Sequence, residues 1–219
     1  MKKSLYLLGI ILLPFCAISQ VKFGVQGGFA LSKTDMNNLL NDVKIAYKLG
    51  PLAGVMVGMN LGESNFSIMQ EINYVFKGAK ISGTDNSQGT PVPVNGSHTT
   101  RYIELPFNFL YYLPSGNGHF FFGAGPYAAI GVGGKNKLTY ELASAPEVED
   151  VSVEFGSGTD QLKKFDYGVH GLIGYKLGYG SYLKAFYSHG LANLSNIESL
   201  DYANRYFGLS FGYFFGSGK

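Results

Sequence analysis

Apolar and polar residues alternate along most of this chain with a period of two. Between residues 101 and 113, RYIELPFNFLYYL places Ile103, Leu105, Phe107, Phe109 and Tyr111 on one side. Tyr102, Glu104, Pro106, Asn108 and Tyr112 fall on the other. A β-strand sends successive side chains to opposite faces, so this stretch is a strand between two different environments. At about 3.3 Å per residue it reaches roughly 43 Å, enough to cross a bilayer at a tilt. The same alternation predicts strands over residues 21–31, 51–61, 66–81, 119–133, 165–177, 181–191 and 204–215.

The connections between these strands run long, short, long, short, long, short, long. Residues 32–50, 83–97, 134–163 and 192–203 are long and polar, whereas 62–65, 114–118 and 179–180 are tight turns rich in Gly, Asn and Ser. Part of the first long connection, 36–47, could make a short helix, and 134–163 could hold an extra hairpin. In an antiparallel meander every second connection lies at the same end, so the long loops gather at one rim and the turns at the other. The fold class this implies is all-β, an eight-stranded antiparallel up-and-down transmembrane β-barrel with long extracellular loops and short periplasmic turns.

Alternation alone does not say which face is outside, and a soluble barrel would reverse the arrangement. Glycine favours the membrane orientation. The polar face carries Gly24, Gly28, Gly54, Gly58, Gly123, Gly125, Gly131, Gly168, Gly174, Gly208 and Gly212, where a water-facing wall would carry Lys, Glu and Thr. Eight strands enclose only enough room for side chains, so small residues suit the lumen. The face rich in Phe, Tyr, Leu, Ile and Val is then turned to lipid.

Composition agrees with that picture. Charged residues are 15% of the chain, against about 25% in soluble domains. Residues 1–19 read as a signal peptide, with Lys2 and Lys3, an apolar run from Leu5 to Phe15 and the small-x-small pattern Ala17-Ile18-Ser19. Residues 20–219 are then one barrel domain without cysteine. Without Lys2 and Lys3 the 17 basic residues become fifteen, equal to the 15 acidic ones. No basic field argues for nucleic acid. Trp is absent, so an aromatic girdle would rest on the 16 Tyr.

Several stretches, taken in order, resemble the PorT-like outer-membrane β-barrel family of Bacteroidetes. They are FSIMQEINYVFKGAKI, YIELPFNFLYYL, FFFGAGPYAAIGVGGK, FDYGVHGLIGYKL, YSHGLANL and NRYFGLSFGYFF. The resemblance covers nearly all of the chain after residue 19. It implies an OmpA/OmpX-style eight-stranded barrel inserted by the barrel assembly machinery. One member of that family is an accessory of protein secretion. The chain departs from the family in the four residues after Phe215.

The candidate site is a lumen polar network of Glu71, Asn73, Lys77, Arg101, Glu104, Asp166, Lys184 and Arg205, with Lys22 and Lys176 on the same face. Charges shut inside a narrow barrel must be paired or hydrated. The network either plugs the lumen and fixes strand register or lines a narrow path. His98, His119, His170 and His189 lack the spacing of a zinc site. Ser188-His189 has no third residue to orient the histidine. Gly131 to Lys135, GVGGK, lacks the spacing and the following Ser or Thr of a phosphate loop. The expectation is therefore no enzyme, no cofactor and no metal.

The sequence reads as an integral outer-membrane barrel, expected to be a monomer, with a filled polar lumen. Its outer-membrane lipid surroundings, the barrel assembly machinery and a protein bound at the extracellular loops would be its partners. Alternatives are a narrow pore for small solutes and a soluble secreted barrel binding an apolar ligand.

Overall fold

The computed structural model describes residues 21–37, 44–85, 91–142, 145–197 and 200–215. Nine strands follow in order: β1 (Val21–Asn37), β2 (Lys44–Asn60), β3 (Phe66–Asp85), β4 (Val92–Ser115), β5 (Gly118–Glu141), β6 (Pro146–Val153), β7 (Phe165–Leu177), β8 (Ser181–Gly190) and β9 (Asp201–Phe214). Eight of them make a ring in the order β4-β3-β2-β1-β9-β8-β7-β5, with β4 returning to β5, and β6 is joined to β5 alone. Pairing is antiparallel throughout. Within the ring each strand's backbone groups meet a neighbour, which is the condition for β-structure in hydrocarbon.

The ring therefore has the eight strands that alternation predicts, and the ninth is the extra hairpin inside 134–163. Three long connections are shorter than the sequence suggests. β1 and β2 take up much of 32–50, β3 and β4 much of 83–97, and β9 begins inside 192–203. Above the bilayer the strands continue to pair, because backbone hydrogen bonds are satisfied there as well as by water. Residues 36–37 and 44–47 are strand and not helix. Residues 38–43 lie outside the described residues, as do residues 1–20, where the sequence suggests a signal peptide, and the tail 216–219.

Two irregularities mark where the wall leaves the barrel. The β2–β3 register shifts between Tyr47 and Leu52, and the β4–β5 register between Arg101 and Tyr102. Opposite these shifts stand Gly78, with φ 148°, and Gly133, with φ 154°, conformations that other residues rarely adopt. Beyond them β2, β3, β4, β5 and β6 continue outward as one sheet.

Orientation follows the glycine argument. Leu209, Phe211, Phe29 and Phe23 are each about 60% exposed, while Glu104, Asn108 and Ser210 are buried inside. Aromatic pairs crowd the end that carries the tight turns: Phe66 on Tyr111 at 4.9 Å and Phe120 on Tyr175 at 4.8 Å. These rings take the place that Trp commonly holds at a membrane interface. A soluble barrel would have the opposite arrangement, so that alternative falls.

Candidate functional site in the lumen and at its outer mouth

Inward positions of the long strands bring charged side chains from distant parts of the sequence into two layers. In the outer layer the Lys77 ammonium, from β3, lies 2.6 Å from Glu104 of β4 and 3.2 Å from Asp166 of β7. It also sits 4.8, 5.0 and 4.9 Å from the ring centres of Tyr102, Tyr127 and Tyr206. Such cation–ring contacts strengthen when water is excluded. Tyr206 donates its hydroxyl hydrogen to Glu104. Asp166 accepts from Tyr127 at 3.3 Å and from Asn204 at 3.0 Å.

The inner layer is built around Glu71, which pairs with Lys184 of β8. Gln26 donates to Glu71 and to the Asn73 carbonyl oxygen, both at 2.6 Å, and Asn73 donates to Glu71 at 2.9 Å. Gln26 in turn accepts from Tyr182 at 2.8 Å and from Ser210 at 3.2 Å. Between the layers, His170 hydrogen-bonds Ser188 at 2.8 Å and stacks on Phe186 at 5.1 Å. Gly208 and Gly212 make room for the Phe186 and Tyr182 rings, since a Cβ at either would overlap them.

Six of the eight expected network members are therefore together in the lumen: Glu71, Asn73, Lys77, Glu104, Asp166 and Lys184, each at 3% exposure or less. Arg101 and Arg205 are not. Both are exposed on the outside of the wall near the outer rim. Each has the odd numbering of its apolar neighbours, Ile103 and Phe207, and each continues that outward face beyond the hydrocarbon. Lys22 and Lys176 line a recess at the inner mouth with Tyr112 and Phe214, of about 10 Å³, roughly the room for one water.

Alternation also carried members that charge alone did not single out. Gln26, Asn108, Tyr127, Tyr182, Asn204 and Tyr206 belong to the network because they occupy inward positions on their strands. Ser188 and His189 point to opposite faces. Ser188 is fully buried against His170, and His189 bonds the outward Tyr187 hydroxyl at 3.0 Å. The four histidines occupy four separate places, with His98 bonded to Asn136 and Tyr202 near the outer mouth.

That mouth is covered. Phe155 packs on Tyr102 with ring centres 5.5 Å apart. Leu162 bridges to Phe155 and Ser195, and Lys163 N–H donates to the Leu194 carbonyl at 2.8 Å. The Asn196 amide nitrogen lies within 3.0 Å of the carbonyl oxygens of Gly156, Gly158 and Gln161. Leu194, at 0% exposure, completes the apolar cap. The arrangement holds strands in register and keeps five charges, Glu71, Lys77, Glu104, Asp166 and Lys184, buried.

A family profile described as outer membrane protein beta-barrel domain matches residues 15–196. Among solved structures, OprG of Pseudomonas aeruginosa is 12% identical, covering 90% of this chain and 97% of its own, with a TM-score of 0.46. Neisserial surface protein A is 10% identical, covering 89% of this chain and 99% of its own, with a TM-score of 0.40. The outer membrane protease OmpT of Escherichia coli is 11% identical, covering 91% of this chain and 98% of its own, with a TM-score of 0.36. No curated protein matches.

Proposed function

The chain belongs to the outer membrane protein beta-barrel domain family, and from that premise we propose that its barrel is an anchor and its outward sheet the working surface. The observation that carries this reading is the filled lumen. The fully buried side chains of Tyr102, Tyr182, Tyr206, Lys77 and Lys184 occupy the space a solute would need. Paired charges that stabilise closure cannot also hydrate a passing ion.

Recognition then falls to the part beyond Gly78 and Gly133. There β6 offers a free outer edge, exposed Val148 and Val151, and the acidic Glu147, Glu149 and Asp150. An exposed strand edge is a ready template for another chain. A protein partner on the cell exterior is the reading this supports, with the protein itself a non-enzymatic monomer. Separation of Ser188 and His189 onto opposite faces speaks for the non-enzymatic role. The motif series from FSIMQEINYVFKGAKI to NRYFGLSFGYFF supports the finer placement among PorT-like barrels and an accessory part in protein secretion.

Capture of surface proteins by the full chain and by a chain lacking residues 137–150 tests the proposal. Loss of a specific captured protein with the deletion is expected. Ion conductance by the full chain in a planar bilayer would refute it in favour of the pore.

A further inference from the structure

β6 ends the outward sheet, and among the described residues it is paired on one side alone. Its residues from Pro146 to Ser152 are all exposed. In an antiparallel ladder alternate residues turn their N–H and C=O groups away from the neighbouring strand, so the far side of β6 carries a row of donors and acceptors that no strand meets. Such a row can pair with any extended chain. The side chains beside it decide which one.

The β5–β6 register sorts the charges of this ribbon onto two faces. On one face Lys135 and Lys137 of β5 stand opposite Ser152 and Asp150, and Lys135 pairs with Asp150. On the other face Glu147 stands opposite Tyr140 and Glu149 opposite Leu138. β5 thus directs both of its lysines to the face that carries Asp150 and none to the face that carries the two glutamates. Glu149 accepts from the neutral Tyr140 hydroxyl at 3.5 Å. Among the described residues neither glutamate is ion-paired. Two positions along one strand, they stand about 6.6 Å apart, and cations at the same spacing on an added strand would meet both.

A second copy of β6 does not fit this edge. Pairing β6 with itself about a two-fold axis sets acid against acid in every centred register: Glu147 against Glu149 or Asp150, Glu149 against itself or Asp150, or Asp150 against itself.

We propose that the β6 edge takes an added strand from a cationic protein segment, with Lys or Arg at two positions separated by one residue. Both cations lie on the face of Glu147 and Glu149. The residue between them is apolar and lies beside the exposed Val148 on the opposite face. This preference rests on the outward sheet being the working surface, and it adds the chemistry of the partner.

The test uses the full chain folded into phosphatidylcholine vesicles and two blocked peptides of identical composition, Ser-Val-Thr-Lys-Val-Lys-Thr-Ser and Ser-Val-Thr-Lys-Lys-Val-Thr-Ser. In the first peptide the lysines share a face whatever the register, and in the second they fall on opposite faces. Fluorescence anisotropy reads affinity, and hydrogen exchange over residues 146–153 reads the place of binding. The spaced peptide should slow exchange in β6 and bind about two- to fivefold more tightly than the adjacent one, the gain of one cross-strand ion pair. E147Q/E149Q should make the two peptides bind equally, with the folded band on unboiled gels unchanged. E147K/E149K should shift the preference to a spaced peptide with Glu in place of both Lys. Equal binding of the two lysine peptides to the wild type, or a preference that survives E147Q/E149Q, would overturn the proposal while β6 protection still showed the edge to be a docking site. Unchanged exchange in β6 with every peptide would overturn both.

Discussion

Replacing Lys77 by Met removes the cation of the outer layer while keeping nearly the same length of apolar stem. Glu104 and Asp166 lose a partner at 2.6 and 3.2 Å, and both are shut away from solvent. Their remaining donors are Tyr206, Tyr127 and Asn204, all neutral. Removing one member of a buried ion pair costs about 3–5 kcal/mol, because a charge is left without compensation. At a urea dependence of about 2 kcal/mol per molar, the unfolding midpoint should fall by about 1.5–2.5 M. The assay is the fraction of folded, fast-migrating band on unboiled gels after incubation in urea. A companion variant, K77M/E104Q/D166N, removes all three charges together and should recover most of the loss, since neutral amides can share the tyrosine donors. A Lys77→Met protein within about 1 kcal/mol of wild type, or a triple variant no better than the single one, would falsify the account of the lumen as an ion-paired core.

Other perturbations separate the two faces. Gly125→Ala places a methyl against the Phe107 carbonyl and should lower the midpoint by at least the 1–3 kcal/mol typical of overpacking, whereas Gly171→Ala, with open space at its Cβ, should leave gels and midpoint unchanged. Leu209→Arg, near the middle of the lipid-facing stretch of β9, should cost about 2–4 kcal/mol, seen as a reduced folded yield in vesicles; full yield would mean that Leu209 does not face acyl chains. Removal of residues 137–150 should leave heat resistance of the folded band unaltered, because the pairs it deletes, with Val94–Ser97 of β4 and between β5 and β6, all lie outward of the Gly133 bulge; a large drop would make the outward sheet part of the barrel's support.

Much of this architecture could be read from alternation because every strand in the wall separates hydrocarbon from a crowded interior. That constraint ends at the outer rim, where polarity no longer reports which way a side chain faces. Charge suggests the lumen for Arg101 and Arg205, although their numbering places them with Ile103 and Phe207. Outside the hydrocarbon an outward cation is favourable, so the alternation was right and the polarity misleading. The Gly- and Pro-rich run at 83–97 has the composition of a loop for a related reason. Pro93 and Gly96 sit in an extension where the sheet can tolerate them. Pairings inside the lumen were less accessible. Lys77 could be placed on the inner face, but its choice of Glu104 and Asp166 depends on the stagger of neighbouring strands, which no local pattern encodes.

Lys77 and Asp166 are separated by 89 positions, and the Glu104 to Tyr206 bond spans 102. A half-assembled sheet ending at β5 would hold a lysine and a glutamate together but lack Asp166, Asn204 and Tyr206. Assembly of this wall is thus poorly rewarded until its final strands arrive, and order in time is written into a contact seen only at the end. Premature release into the bilayer would strand an incompletely satisfied charge cluster, so the slow step of biogenesis should be docking of the carboxy-terminal strands and not the pairing of the first hairpins.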